Sequence, residues 1–346
     1  MVGQAIRLPS GTGRRIACPT KSIVLTLLFM LATTAAARDR IAFIEFFGYQ
    51  GLDPEAVRSA LPFHVGDLKS PDMQAQARAT VRRVTGRDAT NVAFLCCVND
   101  GDTAIFIGLP GSSSQTFVLN PRPKQDLRLS AELTALHSAM EEAEDAAAIQ
   151  LEVDIPAGYR LMQDDKARAA ELKLREYALT HEDELLRVLS LSSDNDQRAT
   201  AADTLGFGNR SPKQMAALVY AARDPDHDVR NNVTRALGEI LRADPAAAAQ
   251  VPPDNFIDMI HSGTWTDRNK SSSVLGYLTR SRDPKLLARL KSEAWDALLE
   301  MARWKADGWS FDARMILVRI AGLPEARVLE LSFASLATFL DAIGQK

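Results

Sequence analysis

The sequence predicts a mainly α-helical fold, an α-solenoid of stacked helical hairpins preceded by a small α+β domain. Three observations lead there. An arginine followed eight residues later by glycine recurs four times between residues 198 and 322. Each recurrence follows another apolar segment of helical period, so each unit reads as a pair of helices. The region before residue 112 has a different texture, with β-rich apolar runs bounded by glycine turns.

The chain begins with basic residues Arg7, Arg14, Arg15 and Lys21, then the apolar run "SIVLTLLFMLATTAAA" from Ser22 to Ala37. This is the layout of a secretory signal (1–37) cleaved after the alanines, and the run is short for a membrane span. An uncleaved anchor is the alternative. The expected location is therefore periplasmic or secreted, with no stable membrane span after cleavage. Residues 1–37 carry four basic and no acidic residues, so cleavage takes the formal net charge from −3 to about −7. Such a balance argues against nucleic acid as a partner, since those binders show a basic footprint.

Residues 38–112 follow the order strand, helix, helix, strand, strand. "RIAFIEFFGYQG" is a strand ending in glycines. "DPEAVRSAL" has Asp53 as N-cap and Pro54 at the first helical position. "SPDMQAQARATVRRV" repeats that start signal with Ser70 and Pro71. "NVAFLCCVNDGDTAIFIGL" reads as a hairpin about Asp100-Gly101. Cys96 and Cys97 are neighbours on the first of those strands. Alternation sends them to opposite faces, so two free thiols are expected there, one buried and one half-exposed.

The order of these elements, the first strand leading through glycine into a helix, and "HVGDLKS" before the second helix resemble a POTRA domain. The resemblance implies an envelope module that binds client segments partly by adding a strand to a sheet edge. No β-barrel follows, unlike in the assembly proteins that carry several such modules.

Residues 113–127 are polar, contain two prolines and read as a linker. Residues 128–180 form a helical lead-in, "SAELTALHSAMEEAEDAAAIQL" and then a helix from about Asp164 to Thr180. The repeats occupy 181–322. Their second helices align "DQRATAADTLG", "DVRNNVTRALG", "DRNKSSSVLG" and "DARMILVRIAG". Arg198, Arg230, Arg268 and Arg314 pair with Gly206, Gly238, Gly276 and Gly322. Aspartates precede the arginines at Asp196, Asp228, Asp267 and Asp312, and the units are spaced 32, 38 and 46 residues apart. Val229, Val233, Ala236, Leu237 and Ile240 share one apolar face, which a lone hairpin cannot bury and stacked neighbours can. These units resemble HEAT repeats, whose second helix starts with a turn aspartate and an arginine. Residues 323–346 read as a terminal capping helix.

"DPDHDVRNNVTR" places Asp224, Asp226 and Asp228 at the opening spacing of a calcium loop. That loop needs glycine at its sixth position and glutamate at its twelfth, where this chain has Val229 and Arg235. The aspartates therefore read as turn and cap residues: Asp226 or Asp228 caps the helix and Arg230 spans neighbouring turns. His227 reads as a solvated turn residue, and the other histidines are dispersed. "GFG" at 206–208 lacks a dinucleotide loop's third glycine, and "GSSSQ" at 111 is not a nucleophile elbow. No residue set earns a catalytic, cofactor or metal role. The tryptophans Trp265, Trp295, Trp304 and Trp309 cluster late in the chain. They read mainly as filling between repeats, with Trp265, Trp304 and Trp309 as candidate partner-binding residues.

The expected function is a non-catalytic protein-binding scaffold in the bacterial envelope, with a protein partner held by the solenoid. Two alternatives stand beside it. One is an enzyme or enzyme accessory, since some HEAT-like proteins resemble phycobilisome lyases and Cys96 and Cys97 are the unusual reactive groups. The other is an envelope-assembly factor acting through the small domain.

Overall fold

The sheet follows from three apolar runs. β1 (Ile41–Phe47), β2 (Asn91–Val98) and β3 (Asp102–Gly108) pair in the order β1-β3-β2, with β1 parallel and β2 antiparallel to the central β3. The crossover carries α1 (Pro54–Ala60) and α2 (Met73–Thr85). Asp53 caps α1 as expected, accepting from the Glu55 amide at 2.9 Å. α2 starts at Met73 rather than beside Pro71, and ends at Gly86 in the left-handed region. This computed structural model describes residues 39–98, 101–147, 153–154, 158–305 and 307–345. The expected signal segment and the first two hairpin-turn residues lie outside them.

Strand alternation gives the sheet two apolar faces. Ile44, Phe46, Val92, Ile105 and Ile107 pack with Val57, Met73, Ala77 and Val81 of α1 and α2. Phe47, Ala104 and Phe106 face the other way and belong to the core of the repeats. The sheet is thus a middle layer, and residues Arg38–Lys346 form one compact unit.

The helical part opens with α3 (Ala131–Ala147) and α4 (Asp165–Thr180), separated by the short strands β4 (Val153–Asp154) and β5 (Leu161–Met162). Four hairpins follow: α5 (Glu182–Leu191) with α6 (Asn195–Leu205), α7 (Pro212–Ala221) with α8 (His227–Ala243), α9 (Asp254–Ile260) with α10 (Trp265–Leu278), and α12 (Trp295–Ala302) with α13 (Asp307–Ile320). The second helices α6, α8, α10 and α13 pack one on the next. A 3-10 turn at Pro245–Gln250 and the extra helix α11 (Pro284–Glu293) account for the lengthening intervals. The fourth unit also shifts: α13 starts seven residues before Arg314, whereas α6, α8 and α10 start three before their arginines. The expected single capping helix is instead a 3-10 turn followed by α14 (Val328–Ser332) and α15 (Leu336–Ala342).

The expected linker, 113–127, is an extended strap laid across the turns between first and second helices. The Gln115 amide donates to the His261 carbonyl at 2.7 Å, Asn120 to Arg223 at 2.7 Å and Gln125 to Leu191 at 3.0 Å. His261, Arg223 and Leu191 each lie seven residues before a repeat arginine. The strap therefore meets one equivalent carbonyl per repeat, every five residues, running from the third unit back to the first. Composition suggested a free connector because prolines and polar residues suit both uses. The backbone accounting decides: each of these amides has a partner in a turn.

Candidate partner-binding groove

The repeat arginines are the starting point, because they fix how one unit sits on the next. Arg198 makes a two-pronged ion pair with Asp224 (2.9 and 2.9 Å) and donates to the Ser192 carbonyl. Arg230 repeats this with Asp267 (2.9 and 2.9 Å) and the Asp224 carbonyl. Arg268 donates to the Ser262 carbonyl at 2.7 Å and to Glu300 at 3.3 Å. In all three the carbonyl belongs to the residue six before the arginine, and the carboxylate comes from the next unit. That same residue's side chain accepts from an amide two residues on: Ser192 from Asp194, Asp224 from Asp226 and Ser262 from Thr264. Asp224 therefore joins both of its neighbours. The pairs are buried, and a buried charge requires such complete partnering.

The aspartates singled out in sequence divide accordingly. Asp226, not Asp228, caps α8, accepting from the Asp228 and Val229 amides at 2.9 and 3.3 Å. Asp228 and Asp196 are exposed first-turn residues, and His227 is exposed. Asp267 is the carboxylate of the second arginine. Asp312 lies inside α13, beside Lys270 and Ser273 rather than in a turn, and burial raises its carboxyl. Arg314 donates to the Ala302, Ser332 and Ala334 carbonyls and so ties the last hairpin to the C-terminal helices. The glycines mark where successive second helices approach. A Cβ on Gly206 would lie 3.3 Å from that of Ala236; on Gly276 it would lie 3.4 Å from Asp312. Gly238 faces Tyr277, and Gly322 ends α13 with φ +75°.

The ladder ends on the sheet. Glu300 accepts from the amides of Gly48, Tyr49 and Gln50 (2.7, 3.0 and 3.1 Å) and from the Ser113 hydroxyl at 2.6 Å. Gly48 has φ +70°, and a Cβ there would meet the Leu109 carbonyl at 2.7 Å, so this turn admits only glycine. Trp304 donates to the Phe46 carbonyl at 3.1 Å. Phe106 lies at the centre of the aromatic contact, 5.2, 5.0 and 5.2 Å from the rings of Trp265, Trp304 and Trp309. Trp265 and Trp304 are 6% and 1% exposed. Trp265 and Trp304 thus face the chain's own sheet instead of an outside surface, while Trp309 packs on Phe106 and stays half-buried.

Of the sheet's two edges, either of which could accept a client strand, the β1 edge is occupied. Along β1, Ile41 exchanges hydrogen bonds with Asp67 and Gly66, the Ile44 carbonyl accepts from Arg58, and the Phe46 carbonyl accepts from Trp304. Cys96 is disulfide-bonded, so the expected free thiol is absent at that position.

What sequence reading missed is a polar face on the second helices. Three residues before the repeat glycines stand Asp203, Arg235, Ser273 and Arg319. Asp203 receives Arg160 at 2.9 Å and His137 at 3.2 Å, and Arg160 also binds Glu144 at 3.0 Å. Burial would raise the Asp203 carboxyl, but Arg160 and His137 outweigh it and hold it far below the usual range. Burial lowers the His137 imidazole, but Asp203 outweighs it and leaves the group raised. Glu171, fully buried beside Arg160, is pushed up to about 7 by burial, with Glu144 adding to the rise and the Met162 amide opposing it. Arg319 binds Glu325 at 2.7 Å and the Gly276 carbonyl at 2.6 Å. Between these paired ends, Arg235, Glu239, Lys270 and Tyr277 line a concavity of about 150 Å³ on α8 and α10.

Stacked hairpins whose second helices pack in series define an α-solenoid repeat protein. Residues 182–251, covering α5 to α8, match the family model of HEAT repeats. Among solved structures, the chain is similar to a designed armadillo repeat protein at TM-score 0.37 and 12% identity, covering 52% of this chain and 95% of that one. It is also similar to a computationally designed armadillo repeat protein for modular peptide recognition, at TM-score 0.37 and 11% identity, covering 60% and 96%. No curated protein matches the chain.

Proposed function

We propose that this chain is a non-catalytic scaffold of the bacterial cell envelope, exported by its N-terminal signal, which holds a protein partner in the groove along its second helices. The observation that carries this is the contrast between two surfaces. The turn edge of the stack is closed by the strap and the sheet, whereas in the groove Arg235 and Lys270 make no hydrogen bond or ion pair among the described residues. Repeat stacks present such long surfaces because each unit adds a similar strip to the last. The small domain keeps the strand, helix, helix, strand, strand order of a POTRA-like module, but here both faces of its sheet are covered. Its β1 edge is occupied too, and we assign binding to the repeats on the contrast between the two surfaces. A thiol-based enzymatic role is disfavoured by the disulfide at Cys96.

The test is a photo-reactive residue at position 277, in the native host, with captured proteins identified by mass spectrometry. One specific partner, absent when Arg235 and Lys270 are both changed to Glu in a folded variant, supports the reading. A partner captured equally well by that variant contradicts it. N-terminal sequencing of the mature protein tests export, and Arg38 as first residue is the expected result.

A further inference from the structure

We propose that the groove contains a carboxylate-binding site between Arg235 and Lys270, and that the recognised feature of the partner is an acidic side chain. This rests on the groove being the partner surface and specifies its chemistry.

Four repeat-helix arginines, Arg198, Arg230, Arg268 and Arg319, all have carboxylate partners. Arg235 and Lys270 differ. Among the described residues neither makes a hydrogen bond or an ion pair, although both line the same concavity. Glu239, one helical turn after Arg235 and only 9% exposed, is likewise unpartnered and lines it too. Buried or half-buried charges without partners are costly, and such groups are normally satisfied. The three lining charges leave one net positive charge, and the Asp312 carboxyl behind Lys270 is raised by burial and offsets it only in part. Burial pushes the Glu239 carboxyl up, which weakens its hold on the two cations. Burial, with Arg235 nearby, pushes Lys270 down to about 8, against the opposing pull of Glu239 and Asp312.

A carboxylate entering between them would meet the fork of Arg235 and the ammonium of Lys270, with the Tyr277 and Ser273 hydroxyls on the same wall. Gly238 contributes no side chain to the floor, where a Cβ would already lie 3.8 Å from the Tyr277 ring. The concavity of about 150 Å³ suits the end of an aspartate or glutamate side chain and not a cofactor.

The experiment titrates the full mature chain with hexaglutamate, hexalysine and inorganic phosphate, following binding by calorimetry and the Lys270 pKa by NMR. Hexaglutamate should bind and raise the Lys270 pKa. Arg235→Gln and Lys270→Gln should each weaken it at least tenfold. Glu239→Gln, which removes the competing anion, should tighten it. Unfolding midpoints of all variants establish that they remain folded. The proposal is overturned if hexaglutamate fails to bind the wild type, if hexalysine or phosphate binds more tightly, or if Glu239→Gln weakens binding. A partner still captured from position 277 while hexaglutamate fails would sink the carboxylate site alone. Loss of that capture from a folded protein would sink the groove reading itself.

Discussion

At the scale of single residues, the chain separates two kinds of charge. Arg230 is buried between Asp267 and the Asp224 carbonyl, so its removal leaves a buried carboxylate unpaired. Arg230→Ala should cost roughly 3–5 kcal/mol in denaturant unfolding. Asp228→Ala, at an exposed first-turn position, should stay within roughly 0.5 kcal/mol. Equal effects would mean that the ladder does not hold the units together. The Asp-Pro-Asp-His-Asp stretch made the turn and its caps legible. It did not reveal that Asp224 serves the previous arginine, because that pairing spans 26 residues and has no local signature. A second residue-level expectation concerns pH. Glu171 is raised to about 7 by burial, so the folded chain binds this proton more tightly than the unfolded chain, where the value is 4.5. Its contribution is full below about 4.5 and is lost as pH rises through 7. The raised His137 acts in the same direction, its contribution being lost as pH rises above 6.5. Thermal stability should therefore fall from pH 5 to 8, by roughly 2 kcal/mol from Glu171. Glu171→Gln should flatten the profile, and an unchanged slope would contradict the assignment.

At the scale of elements, the hairpins were readable because helical period, caps and a fixed arginine-to-glycine interval agree with one another. Asp194 and Asp226 cap α6 and α8 at the same distance from their arginines, two residues before the Asp196 and Asp228 that the repeat alignment picks out. The strap was not readable in the same way. Its amide residues Gln115, Asn120 and Gln125 recur every five positions, but a five-residue interval belongs to no helix or strand and only acquires meaning against the spacing of the turns. The strap has a mechanical consequence. Inserting two glycines between Thr116 and Phe117 displaces either Gln115 or Asn120 from its carbonyl. The insertion should cost about 1–3 kcal/mol, the loss of one or two buried-end hydrogen bonds with their ordering. A linker would tolerate it at a few tenths of that, as seen in its denaturation midpoint.

At the scale of the whole molecule, the sheet and the repeats share an aromatic core about Phe106, and Glu300 joins the arginine ladder to the Gly48–Gln50 turn. The chain should unfold in one cooperative transition, and removing residues 39–112 should leave Trp265 and Trp304 exposed and the repeats aggregation-prone. A stable, soluble repeat fragment with an unchanged midpoint would contradict this. Sequence reading separated the two parts because their local patterns differ. It could not see that the second face of the sheet, apolar at Phe47, Ala104 and Phe106, requires a cover, since alternating strands do not state what lies on each side. The same cover closes the turn edge and leaves the groove along α8 and α10 as the surface for a partner. Amide hydrogen exchange tests that architecture most directly. The Gln115, Asn120 and Gln125 amides should exchange as slowly as those in the second helices, while the strap amides between them, at Thr116 to Leu119, Arg122 and Lys124, exchange quickly. Uniformly fast exchange from 113 to 127 would show a free linker, reopen the turn edge to partners and contradict the account.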